Sequence, residues 1–170
     1  MKGVEAWSDS DWAGCQQSRK SSSGGVLQIG GHTLKAYSAT QNIIALSSAE
    51  AELYALVKAA SSAMGLVSTA GDFGEHLGIR VNADSSAAIG IVYRQGLGKV
   101  RHLDVQQLWL QQKVMRKELK VNKVLGLENC ADLMTKFLAS NAIEKILEDM
   151  GYEAVLGRAE TAPERSTGAS

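Results

Sequence analysis

Residues 47–70 constrain this chain more than any other stretch. They run Ser-Ser-Ala-Glu-Ala-Glu-Leu-Tyr-Ala-Leu and on through an Ala-, Leu- and Glu-rich segment, with Leu53, Leu56, Val57, Ala60, Met64 and Val67 at helical spacing. Ser47 or Ser48 can cap this helix, and Glu50 stands at the third position after Ser47, as in a capping box. A long helix with one apolar stripe must lie against something, and the residues before it supply strands. Residues 4–11 alternate, with Val4, Ala6 and Ser8 on one face and Glu5, Trp7, Asp9 and Asp11 on the other. Residues 15–23 are polar and basic, as in a loop. Two short apolar runs then meet at Gly30-Gly31, a hairpin signal. Three successive antiparallel strands over residues 4–38, followed by the helix, are the economical reading.

Downstream, residues 79–83 form a short apolar strand ending at Asp84, and residues 85–93 a short helix. Strand, acid and helix start make a βα junction, which implies a parallel strand. Residues 96–99 are a connection. A long helix is expected from about 101 to 117, burying Leu103, Leu108, Trp109, Val114 and Met115, then a strand over 119–124. Asn129 or Cys130 opens a further helix through Phe137, and residues 141–150 form another. The order β-β-β-α-β-α-α-β-α is an α/β layer arrangement around a mixed sheet. The domain is expected over residues 1–152. Residues 153–170 hold the only proline and little apolar content, and read as a disordered tail.

At 170 residues, 45% hydrophobic and 21% charged, the composition fits one globular domain and excludes wholesale disorder. No apolar run approaches the length of a membrane span, and the N-terminal stretch lacks the continuous apolar core of a secretory signal. Cys15 and Cys130 make neither a disulfide framework nor a metal-finger spacing, so an intracellular compartment is expected. The 18 basic and 18 acidic residues balance, but unevenly: residues 99–123 carry seven basic and two acidic side chains, a local +5. Such a patch is the footprint of a polyanion partner. It is equally what a solvated helix face looks like.

Four acids stand at element ends that can face one another: Asp9, Glu52, Asp84 and Asp132. Neighbouring carboxylates repel and resist burial without a cation, so such a cluster is an exposed accident or a divalent-metal site. Oxygen-only donors favour Mg²⁺ or Mn²⁺ over zinc. Two ions about 4 Å apart would activate a water and stabilise the leaving oxygen of a phosphodiester. Singly, each acid has a plainer reading: solvated strand ends for Asp9 and Asp11, first-turn acids for Glu50 and Glu52, a cap for Asp84, a dipole partner for Asp132. Asp9 and Asp11 share a strand face, so spacing does not choose between them. Glu50 and Glu52 lie about 200° apart around a helix, so at most one faces the site.

The residues carry a resemblance. Trp-Ser-Asp9-Ser-Asp11-Trp-Ala-Gly with Ser-Arg19-Lys20-Ser-Ser-Ser-Gly resembles the opening of the ribonuclease H domain of copia-type retrotransposon polyproteins. Ala-Leu-Ser47-Ser48-Ala-Glu50-Ala-Glu52-Leu-Tyr, Ala-Asp84-Ser-Ser-Ala-Ala-Ile, Val-Arg101-His102-Leu-Asp104-Val and Glu-Asn-Cys-Ala-Asp132-Leu-Met-Thr-Lys136 are similar to its later blocks, in order, across about residues 4–150. The resemblance implies a ribonuclease H-like α/β fold: a mixed five-stranded sheet, three antiparallel strands then parallel ones, with helices on both faces. It implies cleavage of the RNA strand of RNA–DNA hybrids with two Mg²⁺ or Mn²⁺ ions, leaving a 3′-hydroxyl and a 5′-phosphate. Asp9, Glu52, Asp84 and Asp132 would be the catalytic, metal-binding acids, with Asp11 and Glu50 the alternatives; family register favours Asp9 and Glu52.

Hybrid recognition would run through 2′-hydroxyl and phosphate contacts with little base reading. Asp11, Ser85, Lys99, Arg101, His102, Lys120 and Lys123 are the candidate nucleic-acid contacts, with Asn42 and the amides of residues 11–14 as further ones. Lys113, Arg116 and Lys117 could join them, although Lys113 and Lys117 fit a solvated helix face better. His32 and His76 read as surface residues, and Trp7, Trp12 and Trp109 as core. The chain departs from the family pattern at Cys15 and at Gln106, Gln107 and Leu108, and residues 121–132 contain no histidine. The partners implied are a hybrid and the reverse transcriptase polymerase of a parent polyprotein, with no membrane and a monomeric state. The competing readings are a decayed or repurposed module that binds nucleic acid or protein without cutting, and a nuclease for another nucleic-acid structure.

Overall fold

The computed structural model describes residues 3–94, 105–153 and 157. Lys99, Arg101, His102, Leu103 and nearly all of the expected tail lie outside these residues. The elements are β1 (Gly3–Asp11), β2 (Ser22–Ile29), β3 (His32–Thr40), α1 (Ser48–Asp72), β4 (Gly78–Ala83), α2 (Ser86–Tyr93), α3 (Val105–Met115), β5 (Lys120–Lys123) and α4 (Ser140–Asp149). Two short 3-10 turns, Gly126–Glu128 and Cys130–Met134, join β5 to α4.

One five-stranded sheet runs β3-β2-β1-β4-β5. β1, β2 and β3 pair antiparallel, whereas β1–β4 and β4–β5 are parallel. The β2–β3 turn uses Gly30 and Gly31 at φ of +60° and +82°, the left-handed region a tight hairpin needs and side chains resist. In α1, Ser47 is the cap, its hydroxyl accepting from the Glu50 amide at 3.2 Å. The Glu50 carboxylate reaches back to accept from the Leu46 amide at 2.9 Å, which commits this acid to the helix end.

Alternation along the strands builds two cores. Val4, Ala6, Leu27, Val81 and Val121 meet Leu53, Leu56, Ala60 and Ala63 of α1, with Val92 of α2 and Leu110 of α3. The odd-numbered face of β1 and the even-numbered face of β2 carry Trp7 and Val26, which meet Cys130, Leu133, Ile146 and Met150. Helices therefore cover both faces. By length and composition alone α1 could cross a membrane. Here nine of its residues, among them Leu53, Leu56 and Val57, are buried in the domain.

Several expectations need correction. Residues 130–137 form only a 3-10 turn ending at Met134, not a longer helix. Asn129 is fully buried: its amide donates to the Ser8 carbonyl at 3.0 Å while its side-chain oxygen caps Ala131. That anchor, with Thr135 bonded to β1, holds the segment flat on the sheet. Trp12 is 53% exposed because it falls past the end of β1, its indole donating to the Ala45 carbonyl at 3.1 Å. Leu108 and Met115, seven residues apart on α3, share its outer face and are exposed; Leu110 and Gln111 are buried instead.

β5 is an edge strand, and the Tyr93 hydroxyl covers part of it. It donates to the Val121 carbonyl at 2.7 Å and accepts from the Val121 amide at 3.2 Å, standing in for a neighbouring strand.

Candidate active site

β1 and β4 are adjacent and parallel, so both end at the same edge of the sheet, where α1 also begins. Asp9 projects from the end of β1, Asp84 follows β4, and Glu52 lies in the second turn of α1. One carboxylate oxygen from each lies within 4.8 Å of the others. Asp9 is 1% exposed, and Glu52 Oε2 is buried with no hydrogen-bond partner. Burial, then the charges of Asp9 and Asp84, push the Glu52 carboxyl up to about 8, against the pull of the Ser10 hydroxyl and amide.

Asp132 stands beside this group of three and is joined to it through Lys136. The Lys136 ammonium lies 2.9 Å from Asp132 Oδ1 and 3.2 Å from Asp9 Oδ1, and the Thr135 hydroxyl donates to Asp9 Oδ2. Burial raises the Asp132 pKa; the Lys136 hydrogen bond and charge oppose this, and the charges of Asp9 and Asp84 add to it. For Lys136, burial pulls down, but the hydrogen bond to Asp132 and the charges of both carboxylates carry it up to about 12.

Gly24 makes this packing possible. It pairs with Asp9 across the sheet, and a Cβ there would meet Thr135 Cγ2 at 2.7 Å, Met134 Cβ at 2.8 Å and the Ala131 carbonyl at 2.9 Å. Only a residue without a side chain lets the 3-10 turn lie close enough to bring Thr135 and Lys136 to Asp9. Thr135, Lys136 and Gly24 were not singled out from the sequence. The available signal was the acid–base pair at i, i+4 between Asp132 and Lys136.

Asp11, the alternative to Asp9, accepts a hydrogen bond from the Ser22 amide and is absent from the group of three. Glu50 is likewise absent from it. Ser85 caps α2, accepting from the Ala88 amide at 3.3 Å. Lys123 reaches the Asp84 carbonyl and the Ser86 hydroxyl, so it stands beside the acids. Lys120 begins β5 and so lies about 10 Å back along the strand, toward the opposite edge. Lys113, its side chain only 20% exposed, and Arg116, just past the end of α3, pair with Glu118 at 2.6 and 3.9 Å. Asn42 is exposed and lines a cleft of about 660 Å³ with Thr40, Gln41, Tyr54, Lys58 and Trp109. Both cysteines are free thiols.

The sheet order, the mixed pairing and the acids at the shared edge define a ribonuclease H-like fold. Solved structures agree. The N-terminal RNase H domain of rv2228c from Mycobacterium tuberculosis superposes with a TM-score of 0.53 at 19% identity, covering 87% of this chain and 98% of that one. LC11-RNase H1, isolated from compost, gives 0.54 at 20% identity over 86% of this chain and 99% of its own, and its complex with an RNA/DNA hybrid gives 0.51. No protein-family model matches the sequence.

Among curated proteins, the retrovirus-related Pol polyprotein from transposon TNT 1-94 of Nicotiana tabacum is 31% identical over 153 residues, 89% of this chain. The corresponding polyprotein from transposon RE1 of Arabidopsis thaliana is 24% identical over 164 residues. The chain spans only 12% and 11% of their lengths. It is therefore a ribonuclease H-like domain homologous to a segment of the Pol polyproteins of copia-type transposons.

Proposed function

We propose that this chain is a divalent-metal-dependent endonuclease that hydrolyses the RNA strand of RNA–DNA hybrids. The observation that carries the reading is the convergence of Asp9, Glu52 and Asp84, with Glu52 pushed up to about 8 and one of its buried oxygens unpartnered. Three carboxylates held this close are a poor arrangement for metal-free water and a good one for hard cations. All the donors are oxygens, which suits Mg²⁺ or Mn²⁺. Asp9, Glu52 and Asp84 would hold the ions, with Asp132 as a fourth acid beside them. Bound ions of this kind supply water activation and stabilisation of the departing oxygen.

The chain's own residues do the rest. β1 and β4 fix Asp9 and Asp84 on rigid strand ends, and α1 presents Glu52 from a buried stripe, so the acids are set before substrate arrives. Ser85 caps α2 beside Asp84, and Lys123 reaches the same point from the end of β5, within reach of a phosphate held at the acids. The fold-mate captured with an RNA/DNA hybrid supports the substrate class. The length of the polyprotein relatives supports a parent chain whose polymerase domain shares the hybrid.

The test is cleavage of a labelled RNA–DNA hybrid with and without Mg²⁺, set beside double-stranded DNA and double-stranded RNA, for wild type and Asp84→Asn. The reading expects Mg²⁺-dependent cuts confined to the RNA strand of the hybrid and lost in Asp84→Asn. Equal cutting by both proteins, or hybrid binding without cleavage, would refute it; the latter result supports a binding module.

A further inference from the structure

Lys136 lies outside the group of three acids, yet its ammonium rests against that group. Between them, Lys136 and Thr135 occupy both oxygens of Asp9, a carboxylate only 1% exposed. The Lys136 side chain is itself 41% exposed, so its head stands between a buried acid and open water. Resting on the metal-dependent reading above, we propose that Lys136 is a tethered counter-ion: it balances Asp9 and Asp132 when no dication is bound, and it competes with an incoming dication for Asp9.

The argument is electrostatic. A buried carboxylate with no partner is costly, and Asp9 also has Glu52 and Asp84 within 4.8 Å. A cation on the same chain is present at high local concentration and holds the Asp9 side chain in place. A dication reaching Asp9 places a second positive charge near an ammonium, and the two repel. The lysine stem is half in water and rotates outward at small cost, while the contact to Asp132, 13% exposed, can persist at the rim. The exchange moves an ammonium and no proton, and no covalent bond changes. Its consequence is a threshold: the ion pair at Asp9 must be broken before that oxygen can serve a metal, so Lys136 weakens dication binding while protecting the metal-free fold.

The test uses the full chain without nucleic acid, as wild type, Lys136→Met and Lys136→Arg. Mn²⁺ affinity is read from the paramagnetic resonance signal of the free ion, and thermal unfolding is followed in EDTA and in saturating Mn²⁺. Lys136→Met is expected to bind Mn²⁺ about three- to fivefold more tightly, the upper end for one partly exposed ion pair. It should also unfold at lower temperature than wild type in EDTA, with that deficit closing in Mn²⁺. Lys136→Arg keeps the charge and should stay within about twofold of wild type. Unchanged or weaker Mn²⁺ binding by Lys136→Met, with wild type binding normally, overturns the counter-ion role and leaves the metal reading standing. Absence of Mn²⁺ binding in all three proteins overturns the metal reading and the competition with it.

Discussion

Glu52→Gln offers a direct measurement of how much strain the acid cluster stores. In the folded chain the Glu52 carboxyl titrates at about 8, against an ordinary value of 4.5, because it is buried and because Asp9 and Asp84 face it. The folded state therefore binds more protons than the unfolded state between those two values. Stability is full below about pH 4.5 and is lost as the pH rises towards 8. A gap of about 3.5 pH units at about 1.4 kcal/mol each gives about 5 kcal/mol at alkaline pH, and about 3 kcal/mol at pH 7. Glutamine at position 52 has no acidic proton to lose.

The assay is urea unfolding followed by tryptophan fluorescence, in EDTA, from pH 5 to 8. Wild type should lose stability relative to Glu52→Gln as pH rises, by about 3 kcal/mol near neutrality. Asp132, also raised, contributes the same slope to both proteins, so the difference between them isolates Glu52. Parallel stability curves across this range would refute the reasoning, because they would mean Glu52 is ionised and solvated in the fold.

By the same linkage, saturating Mg²⁺ should raise the melting temperature of wild type more at pH 8 than at pH 5, since Glu52 adds its charge to the cluster only towards pH 8; differential scanning fluorimetry reads it. Gly24→Ala should cost about 1–3 kcal/mol in chemical unfolding, because its methyl group meets Thr135, Met134 and the Ala131 carbonyl. It should also weaken Mn²⁺ binding by shifting the turn that carries Asp132. Tyr93→Phe removes the hydroxyl bonded to both polar groups of Val121, and should cost about 1–2 kcal/mol with faster hydrogen exchange at the Val121 amide. Ser47→Ala removes the cap of α1 and should cost about 1 kcal/mol by the same unfolding measurement.

Much of this architecture is legible locally. Gly30-Gly31 between two apolar runs determines a hairpin because only glycine accepts both positive φ angles cheaply. Ser47 and Glu50 fix where α1 starts because their side chains bond to amides within a few residues. Leu53, Leu56 and Val57 declare the buried face by their spacing alone. Asp84 at a strand end before a capped helix announces a βα junction, and β4 is indeed parallel to β1.

Other choices involve residues far apart in the chain. Asp9 and Asp11 sit on one strand face, and what separates them is the partner strand: Asp9 faces Gly24, whose missing side chain admits the turn that brings Thr135 and Lys136, and Asp11 is tied to the Ser22 amide. The segment after Asn129 carries helix-forming residues, yet it lies as a 3-10 turn because Asn129 is pinned to Ser8, more than a hundred residues earlier. Lys136 gives no sign in the sequence of reaching Asp9, 127 positions away.

The sequence by itself determined the order of elements, the ends of the first hairpin and the first helix, and the short roll of acids from which a site could be made. Tertiary structure alone decided which acids meet, which one loses water, and which lysine answers them. Periodicity and capping act over a few bonds, so they can be read along the chain. Burial and Coulomb energy depend on distances through space, and those exist only once β1, β4, α1 and the turn at Asp132 are packed together.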